Sequence, residues 1–173
     1  MQERIPTPSR RSIRLRHFDY RQAGYYFLTL CTDQRRNLFG YVFDDSVRLS
    51  ALGELAAMQW LALPEHFAYA SLDAFVVMPN HVHGIVQLLT ELREVDRTER
   101  FGAPCRGSIA TLVRSYKAAV TRQARLHATD SRQVVWQRNY WERVIRDEAE
   151  LLETRRYIEN NPQQWMLDRL YCP

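Results

Sequence analysis

Two histidines separated by one residue are the feature of this sequence best suited to chemistry. His81 and His83 flank Val82 within a run rich in β-branched and apolar residues. Successive side chains of a β-strand alternate between the two faces of a sheet, so both imidazoles are expected on one face, with Cα atoms roughly 6.5–7 Å apart. This spacing allows the pair to bind one cation. The simpler interpretation is that the HxH pattern arises by chance and that the two histidines only form ordinary hydrogen bonds.

A tyrosine and an asparagine near the C-terminus form a second candidate. The region 147–161 is predicted to be a helix whose apolar side consists of Leu151, Leu152 and Ile158. Tyr157 lies about 100° or more from that side, and it shares another side of the helix with Thr154 and Asn161. The Asn161 carbonyl oxygen, one turn after Tyr157, is therefore a candidate third ligand. The simpler interpretations are a partly exposed tyrosine and a helix C-cap before Pro162.

A phenol, two imidazoles and an amide around one ion suit attack on a phosphodiester. The cation would polarise the scissile phosphate and offset charge on its oxygens while Tyr157 attacks in line. The product would be a phosphotyrosine ester. Because that ester conserves the energy of the broken bond, rejoining would need no ATP.

Hydrophobic periodicity indicates the elements that would position these groups. Strands are predicted over 25–32, 71–78, 82–89 and 140–145, with Pro79 and Asn80 at the turn of a hairpin. A helix capped by Ser50 is predicted to run to about Leu63, where Pro64 stops it. Its apolar side is predicted to consist of Leu52, Leu55, Ala56 and Ala62.

A second helix is predicted to begin after Ser108, and Pro162 is predicted to stop the last one. The core stripe of the second helix consists of Ile109, Leu112, Val113, Tyr116 and Val120. We therefore expect Tyr116 to be a packing residue. The polar, unperiodic segment 90–106 is predicted to be a mobile loop.

The order of these elements predicts an α+β fold of the ferredoxin-like, split βαβ type. Its antiparallel sheet would have the first and third strands in the centre, two crossover helices on one face, and an additional C-terminal helix bearing Tyr157. The side chains of Val82, Gly84, Val86 and Leu88 would then point away from the imidazoles, towards the crossover helices.

Composition limits the class of protein. The chain has 173 residues, of which 46% are hydrophobic, which suits one folded domain. No apolar run approaches the 18 or so residues of a membrane span, and the arginine-rich first 22 residues lack the apolar core of a signal peptide. Cys31, Cys105 and Cys172 are odd in number and form no CxxC, so neither a disulfide framework nor a thiolate zinc site is indicated. We expect a cytoplasmic protein.

Three segments of the sequence resemble a known family. They are VVMPNHVHGIV (76–86), VWQRNYWERVIRDEAEL (135–151) and RRYIENNP (155–162). In their order and spacing they resemble the single-tyrosine HUH transposases, and most closely the REP-associated tyrosine transposases of bacteria. The resemblance covers about residues 20–165.

The resemblance implies a role for each matching residue. It implies that His81 and His83 are metal ligands, that Asn161 is the third ligand, and that Tyr157 is the nucleophile. Members of the family cleave and rejoin single-stranded DNA, form a 5′-phosphotyrosine, and recognise hairpins of repetitive extragenic palindromes. They use Mg²⁺ or Mn²⁺, whereas two imidazoles alone would favour Zn, Ni or Cu. We expect Mg²⁺ or Mn²⁺ here, as the resemblance implies.

Several arginines are candidate DNA contacts. The net charge is only +4, but arginines are concentrated near the N-terminus, and guanidinium groups suit phosphate. The predicted contacts to the DNA backbone are Arg10, Arg11, Arg14, Arg16, Arg114, Lys117, Arg122 and Arg125. Each of them could equally belong to a solvated surface. Trp136 could stack on a base, but a core position is favoured.

These observations divide the chain into a basic arm (1–22), one HUH transposase-like domain (23–165) and a C-terminal tail (166–173). Single-stranded or hairpin DNA is the expected partner, and no membrane is. Two other functions remain open: a catalytically silent nucleic-acid-binding module of the same fold, and a hydrolase in which a metal-bound water attacks. Monomer and homodimer, with or without exchange of the tyrosine helix, also remain open.

Overall fold

A computed structural model describes residues 22–89, 107–127 and 134–172. Its strands, in chain order, are β1 (Gly24–Cys31), β2 (Gly40–Phe43), β3 (Ser46–Leu49), β4 (Ala70–Met78), β5 (His81–Leu88) and β6 (Trp141–Ile145). Its α-helices are α1 (Ala51–Leu61), α2 (Leu63–His66), α3 (Ile109–His127) and α4 (Glu148–Asn160). The predicted loop 90–106 lies outside the described residues.

The predicted α+β fold is confirmed. Four antiparallel strands form a sheet in the order β4, β5, β1, β6, so the first and third main strands are central. The β1–β5 register places Thr29 opposite His83 and Cys31 opposite His81. None of the described helices is long and apolar enough to cross a bilayer.

One face of the sheet carries most of the apolar core; we call it the core face. Val82 and Val86 of β5 pack there with Trp60 of α1 and Tyr116 of α3. Tyr116 is 1% exposed, and its hydroxyl donates to the carbonyl of Ala56, as expected of a packing residue. Trp136 is also in this core, at 7% exposure.

The region around α1 differs from its prediction in three respects. A two-stranded hairpin, β2–β3, precedes the helix and was not predicted; it turns through Asp44 and Asp45, both at positive φ. Helix α1 ends at Leu61, and Pro64 stands in the first turn of α2, where a missing N–H costs little. The buried side of α1 includes Trp60, whereas the predicted side omitted it.

The opposite face, which we call the site face, carries a smaller apolar cluster under α4. Ile158 of α4 packs there with Phe27 and Ile85 of the sheet. The buried side chains of α4 are Leu151, Thr154 and Ile158, and Asn161 follows in the same row. Leu152 was predicted on the buried side, but it is 44% exposed, because the row follows an i, i+3, i+7 spacing that begins at Leu151.

Polar contacts fix both the beginning and the position of α4. The Asp147 side chain caps the helix by accepting from the Glu150 N–H at 2.8 Å. Arg155 donates two hydrogen bonds, of 2.8 and 2.7 Å, to the carboxylate of Asp73 on β4. This bidentate pair joins the helix to the edge strand of the same chain.

Candidate active site

The two histidines lie side by side on the site face. His81 and His83 are 0% and 2% exposed, and their ring centroids are 4.3 Å apart. Val82 between them points to the core face, as the alternation of a strand requires. The predicted juxtaposition of the two imidazoles is therefore present in the structure.

Asn80 determines which nitrogen of His81 carries the proton. Its Nδ2 donates to the backbone carbonyls of Arg35 and Leu170, so its Oδ1 accepts the hydrogen bond from His81 Nδ1 at 2.8 Å. His81 Nε2 is then an unprotonated acceptor. It is buried and has no hydrogen-bond partner among the described residues.

His83 has a similar arrangement. Its Nδ1 lies 2.9 Å from the Thr29 hydroxyl on the neighbouring strand β1. Its other ring nitrogen, Nε2, points towards Tyr157. Burial lowers the pKa of His83 well below 6.5, and the adjacent His81 lowers it further. Burial likewise lowers the pKa of His81 to about 3, although the Asn161 side chain opposes this shift. Both rings are neutral at physiological pH, which is the protonation state of a metal ligand.

Tyr157 reaches the histidines from α4. Its hydroxyl oxygen lies 3.2 Å from His83 Nε2 and 3.2 Å from Asp168 Oδ2. The ring packs edge-on against Phe27 while the residue remains 40% exposed. Burial, reinforced by the Asp168 carboxylate, raises the pKa of Tyr157 to about 12. The phenol is therefore protonated at neutral pH and open to solvent on one side.

Asn161 completes the group of predicted ligands. It follows the last residue of α4, is 2% exposed, and its Nδ2 donates to Asp168 Oδ2 at 2.9 Å. Its Oδ1 is buried with no hydrogen-bond partner among the described residues. Its position after the helix agrees with the C-cap interpretation, but its orphan carbonyl oxygen is what a ligand would offer.

Asp168 is the site residue that sequence reasoning missed. The ligand atoms of His81, His83 and Asp168 all lie within 4.8 Å of one another. The residue belongs to the segment that the sequence suggested was a tail, and no periodicity marks it. Thr29 was also missed, because its pairing with His83 depends on strand register. Asn80, by contrast, stands beside His81 in the quoted motif and could have been proposed.

A cavity of about 450 Å³ opens beside the phenol. Aromatic and basic residues line part of it, among them Trp141, Arg143 and Arg169. The Arg169 guanidinium lies over the Trp141 ring at 5.7 Å, and that of Arg143 lies over Phe27 at 5.8 Å. Stacked rings and guanidinium groups are suited to bases and phosphates.

Most of the predicted DNA contacts lie away from this cavity or outside the described residues. Arg114, Arg122 and Arg125 are exposed on α3, which covers the core face. Lys117 donates to the carbonyls of Gln137 and Asn139, and burial lowers its pKa to about 8. The predicted contacts Arg10, Arg11, Arg14 and Arg16 lie outside the part of the chain that the structure describes.

The residues present fit a divalent cation. Two buried acceptors, His81 Nε2 and Asn161 Oδ1, have no donor among the described residues, and the neutral His83 Nε2 faces the same space. Buried acceptors that converge without donors favour a bound cation. The mixed set of imidazole and oxygen ligands accommodates several divalent metals.

Comparisons with known proteins place this arrangement in context. An uncharacterized protein of Haemophilus influenzae is 38% identical over 169 residues, which cover 94% of this chain and 93% of that protein. A second protein of that organism, assigned as a REP-associated tyrosine transposase, is 25% identical over 148 residues, or 83% of this chain and 73% of that protein.

A solved structure shares the fold. It is a REP-associated tyrosine transposase bound to a REP hairpin, with a TM-score of 0.60 and 20% identity, covering 88% of this chain and 73% of that one. No family model matches the chain. The resemblance that the sequence motifs predict is confirmed.

Proposed function

The chain belongs to the same family as its uncharacterized Haemophilus influenzae relative and resembles the REP-associated tyrosine transposases, and from this premise we propose that it is a transposase acting on hairpin DNA. In detail, it would cleave single-stranded DNA in a metal-dependent reaction and transfer the strand through a 5′-phosphotyrosine. The observation that carries this proposal is the 3.2 Å approach of the Tyr157 hydroxyl to His83 Nε2 within one chain.

The proposed ligands are His81, His83 and Asn161. A divalent cation held by these residues, Mg²⁺ or Mn²⁺, would supply Lewis acidity at the scissile phosphate. The protein contributes the orientation of the ligands: Asn80 Oδ1 accepts from His81 Nδ1, which leaves the His81 Nε2 lone pair free, and the Thr29 hydroxyl bonds to His83 Nδ1. The buried rings stay neutral and therefore do not repel a cation.

Tyr157 is the proposed nucleophile. Its oxygen forms a bond to phosphorus, the bond from phosphorus to the 3′-oxygen breaks, and that oxygen takes a proton from solvent to become a free 3′-OH. The phenol is protonated because the pKa of Tyr157 is about 12, and its proton passes to solvent as the bond to phosphorus forms. Asp168 Oδ2, at 3.2 Å, is placed to accept its hydrogen bond. Attack by a 3′-OH on the phosphotyrosine reverses these bond changes and rejoins the strand.

The cavity beside Tyr157 supports single-stranded DNA as the substrate. Trp141 offers an aromatic surface, and Arg143 and Arg169 offer positive charge next to the nucleophile. The arginines of the N-terminal arm and of α3 remain proposed contacts for the rest of a hairpin. All proposed catalytic groups lie within one chain, and both a monomer and a homodimer remain proposed. The proposed place of action is the bacterial cytoplasm.

A covalent-adduct assay tests the proposal. A hairpin oligonucleotide with single-stranded flanks, taken from repeats around the gene, is incubated with Mn²⁺ and the products are separated on a denaturing protein gel. The parent chain should form a protein–DNA adduct, and Tyr157→Phe and His81→Ala should form none. Tyr41→Phe is the matched control, since Tyr41 is an exposed tyrosine on β2 that does not line the cavity.

The products also separate the other two functions. An adduct in Tyr157→Phe equal to that of the parent would refute the nucleophile. A 5′-phosphate product without any adduct would identify a hydrolase that uses metal-bound water. Hairpin binding that is unchanged by EDTA, with no cleavage, would identify a binding module.

A further inference from the structure

Asp168 lies at the centre of the hydrogen bonds that join the proposed nucleophile to the proposed amide ligand. Its Oδ2 accepts from the Tyr157 hydroxyl at 3.2 Å and from Asn161 Nδ2 at 2.9 Å. Its Oδ1 accepts from the backbone N–H of Leu170 at 2.6 Å. One carboxylate thus contacts two groups that approach the histidines from α4 and its C-terminal end.

The backbone around Asp168 is attached to the same residue that orients His81. Asn80 Nδ2 donates to the carbonyl of Leu170 at 2.8 Å, and Leu170 is 8% exposed. Trp165 packs against His81, with ring centroids 5.9 Å apart. The segment after α4 is therefore held against the site by polar and apolar contacts, which gives the carboxylate a defined position.

The amide of Asn161 has two orientations of similar shape but opposite chemistry. With Oδ1 towards His81 it offers an acceptor for a cation; after a 180° flip its NH₂ would donate to the free lone pair of His81 Nε2. The flipped form would satisfy His81 Nε2 and block the site. It is opposed because Nδ2 now donates to Asp168, and the flip would turn Oδ1 towards that carboxylate.

Tyr157 has a comparable ambiguity. Its single proton can be donated to His83 Nε2 or to Asp168 Oδ2, each 3.2 Å away. A ligand role for His83 uses the Nε2 lone pair. Asp168 is then the acceptor that keeps the phenol oriented beside the site.

We propose that Asp168 is a positioning residue, which holds the Asn161 carbonyl towards His81 and the Tyr157 hydroxyl beside His83 by accepting a hydrogen bond from each. This inference rests on the proposed function. Asp168 acts through these neighbours rather than as a ligand, because Oδ2 already accepts two hydrogen bonds and Oδ1 one, whereas His81 Nε2 and Asn161 Oδ1 have no donor among the described residues.

Mn²⁺ affinity of the DNA-free full chain, measured by electron paramagnetic resonance, tests the inference without an activity readout. Asp168→Asn should weaken binding about 10- to 100-fold, the usual effect of removing a group that orients a ligand. Asn161→Ala should weaken it to a similar extent. In a Tyr157→Phe background, where Asp168 can act on the metal only through Asn161, adding Asp168→Asn to Asn161→Ala should weaken binding no further.

Two further variants test whether loss of negative charge or unfolding explains the result. Asp45→Asn removes one negative charge from the exposed β2–β3 turn and should leave the affinity unchanged. Asn161→Asp combined with Asp168→Asn reverses the polarity of the hydrogen bond and still turns an oxygen towards His81. This pair should recover affinity, which would show that Asp168→Asn had not simply unfolded the chain.

Each alternative outcome has its own meaning. Equal affinity of Asp168→Asn and the parent overturns the inference. A further loss of affinity when Asp168→Asn is added to Asn161→Ala in the Tyr157→Phe background also overturns it, since that makes Asp168 a direct ligand. If the parent binds no Mn²⁺, or if His81→Ala binds it as well as the parent, the proposed metal site itself fails. Binding that needs His81 but not Asp168 refutes only this inference.

Discussion

The two faces of the four-stranded sheet bury different kinds of side chain. On the core face, Trp60, Tyr116 and Val82 pack against one another beneath two helices. On the site face, a single helix covers a small apolar cluster, and beside it lie buried acceptors with no donors among the described residues. Both faces are formed by alternate residues of the same strands, β1 and β5.

The difference indicates that one face stabilises the fold and the other provides the candidate site. Close packing of apolar groups stabilises the sheet, whereas buried polar groups without partners cost stability. The core face can hold the strands in register while the site face keeps its acceptors available. Substitutions on the two faces should therefore differ in kind as well as in size.

The largest expected loss of stability is on the core face. Trp60 is fully buried, so Trp60→Ala should lower the free energy of unfolding by about 3–5 kcal/mol. Urea denaturation measures the loss. Leu61→Ala, the next residue but 58% exposed, should change stability by about 0.5 kcal/mol or less. Similar losses in both variants would contradict the proposed importance of this packing.

The close approach of Gly84 to Trp60 gives a smaller effect. A Cβ added at Gly84 would lie 2.3 Å from the Trp60 ring. Gly84→Ala should therefore destabilise the chain by about 1–3 kcal/mol through overpacking. Adding Trp60→Phe should lessen the penalty of the alanine, as a thermodynamic cycle in urea would reveal. No coupling between the two positions would mean that the strand relieves the clash by moving.

On the site face, the buried His81 should make the stability of the chain depend on pH. The folded chain holds His81 neutral down to about pH 3, whereas its unfolded pKa is 6.5, so between these values the unfolded chain binds more protons. Stability in EDTA should fall as pH drops below 6.5, by about 1.4 kcal/mol per pH unit for this histidine. Urea titrations from pH 7 to pH 5 measure the slope. If His81→Gln has the same slope as the parent, the burial cost has been misassigned.

The smallest expected effect is at the contact that docks α4. The Arg155 guanidinium lowers the pKa of the Asp73 carboxyl below 3.8, so this pair contributes stability above that pH and loses it as pH falls through the lowered value. Asp73→Asn should therefore be slightly less stable than the parent at pH 7, and the gap should close in acid. Faster hydrogen exchange in α4 of the variant would locate the effect; a gap that persists at low pH would contradict it.

Several features of the site could be predicted from the sequence because they depend on local periodicity. The alternation of a strand put His81 and His83 on one face, and the helical repeat separated Tyr157 from the apolar stripe. The order of strands and helices predicted the sheet, since few arrangements of such elements satisfy packing and handedness. The short β2–β3 hairpin escaped because its turn carries two aspartates rather than a common Asn-Gly signal.

Other features depended on contacts between distant segments. Thr29 meets His83 only once β1 and β5 pair in this register. Leu152 lost its predicted burial to Thr154, because the docking angle of α4 decides which row faces the sheet. Asp168 reaches the site only after the chain turns back behind α4 and Leu170 is fixed by Asn80.

The sequence by itself determined which chemical groups are available and which of them share a face, because side-chain direction follows from backbone periodicity. Only the tertiary structure decided how α4 docks, which nitrogen of His81 is free and which carboxylate meets Tyr157. The physical reason is that hydrogen-bond partners and proton positions depend on distances of a few ångströms between segments far apart in the chain, and these distances exist only once the core face has packed.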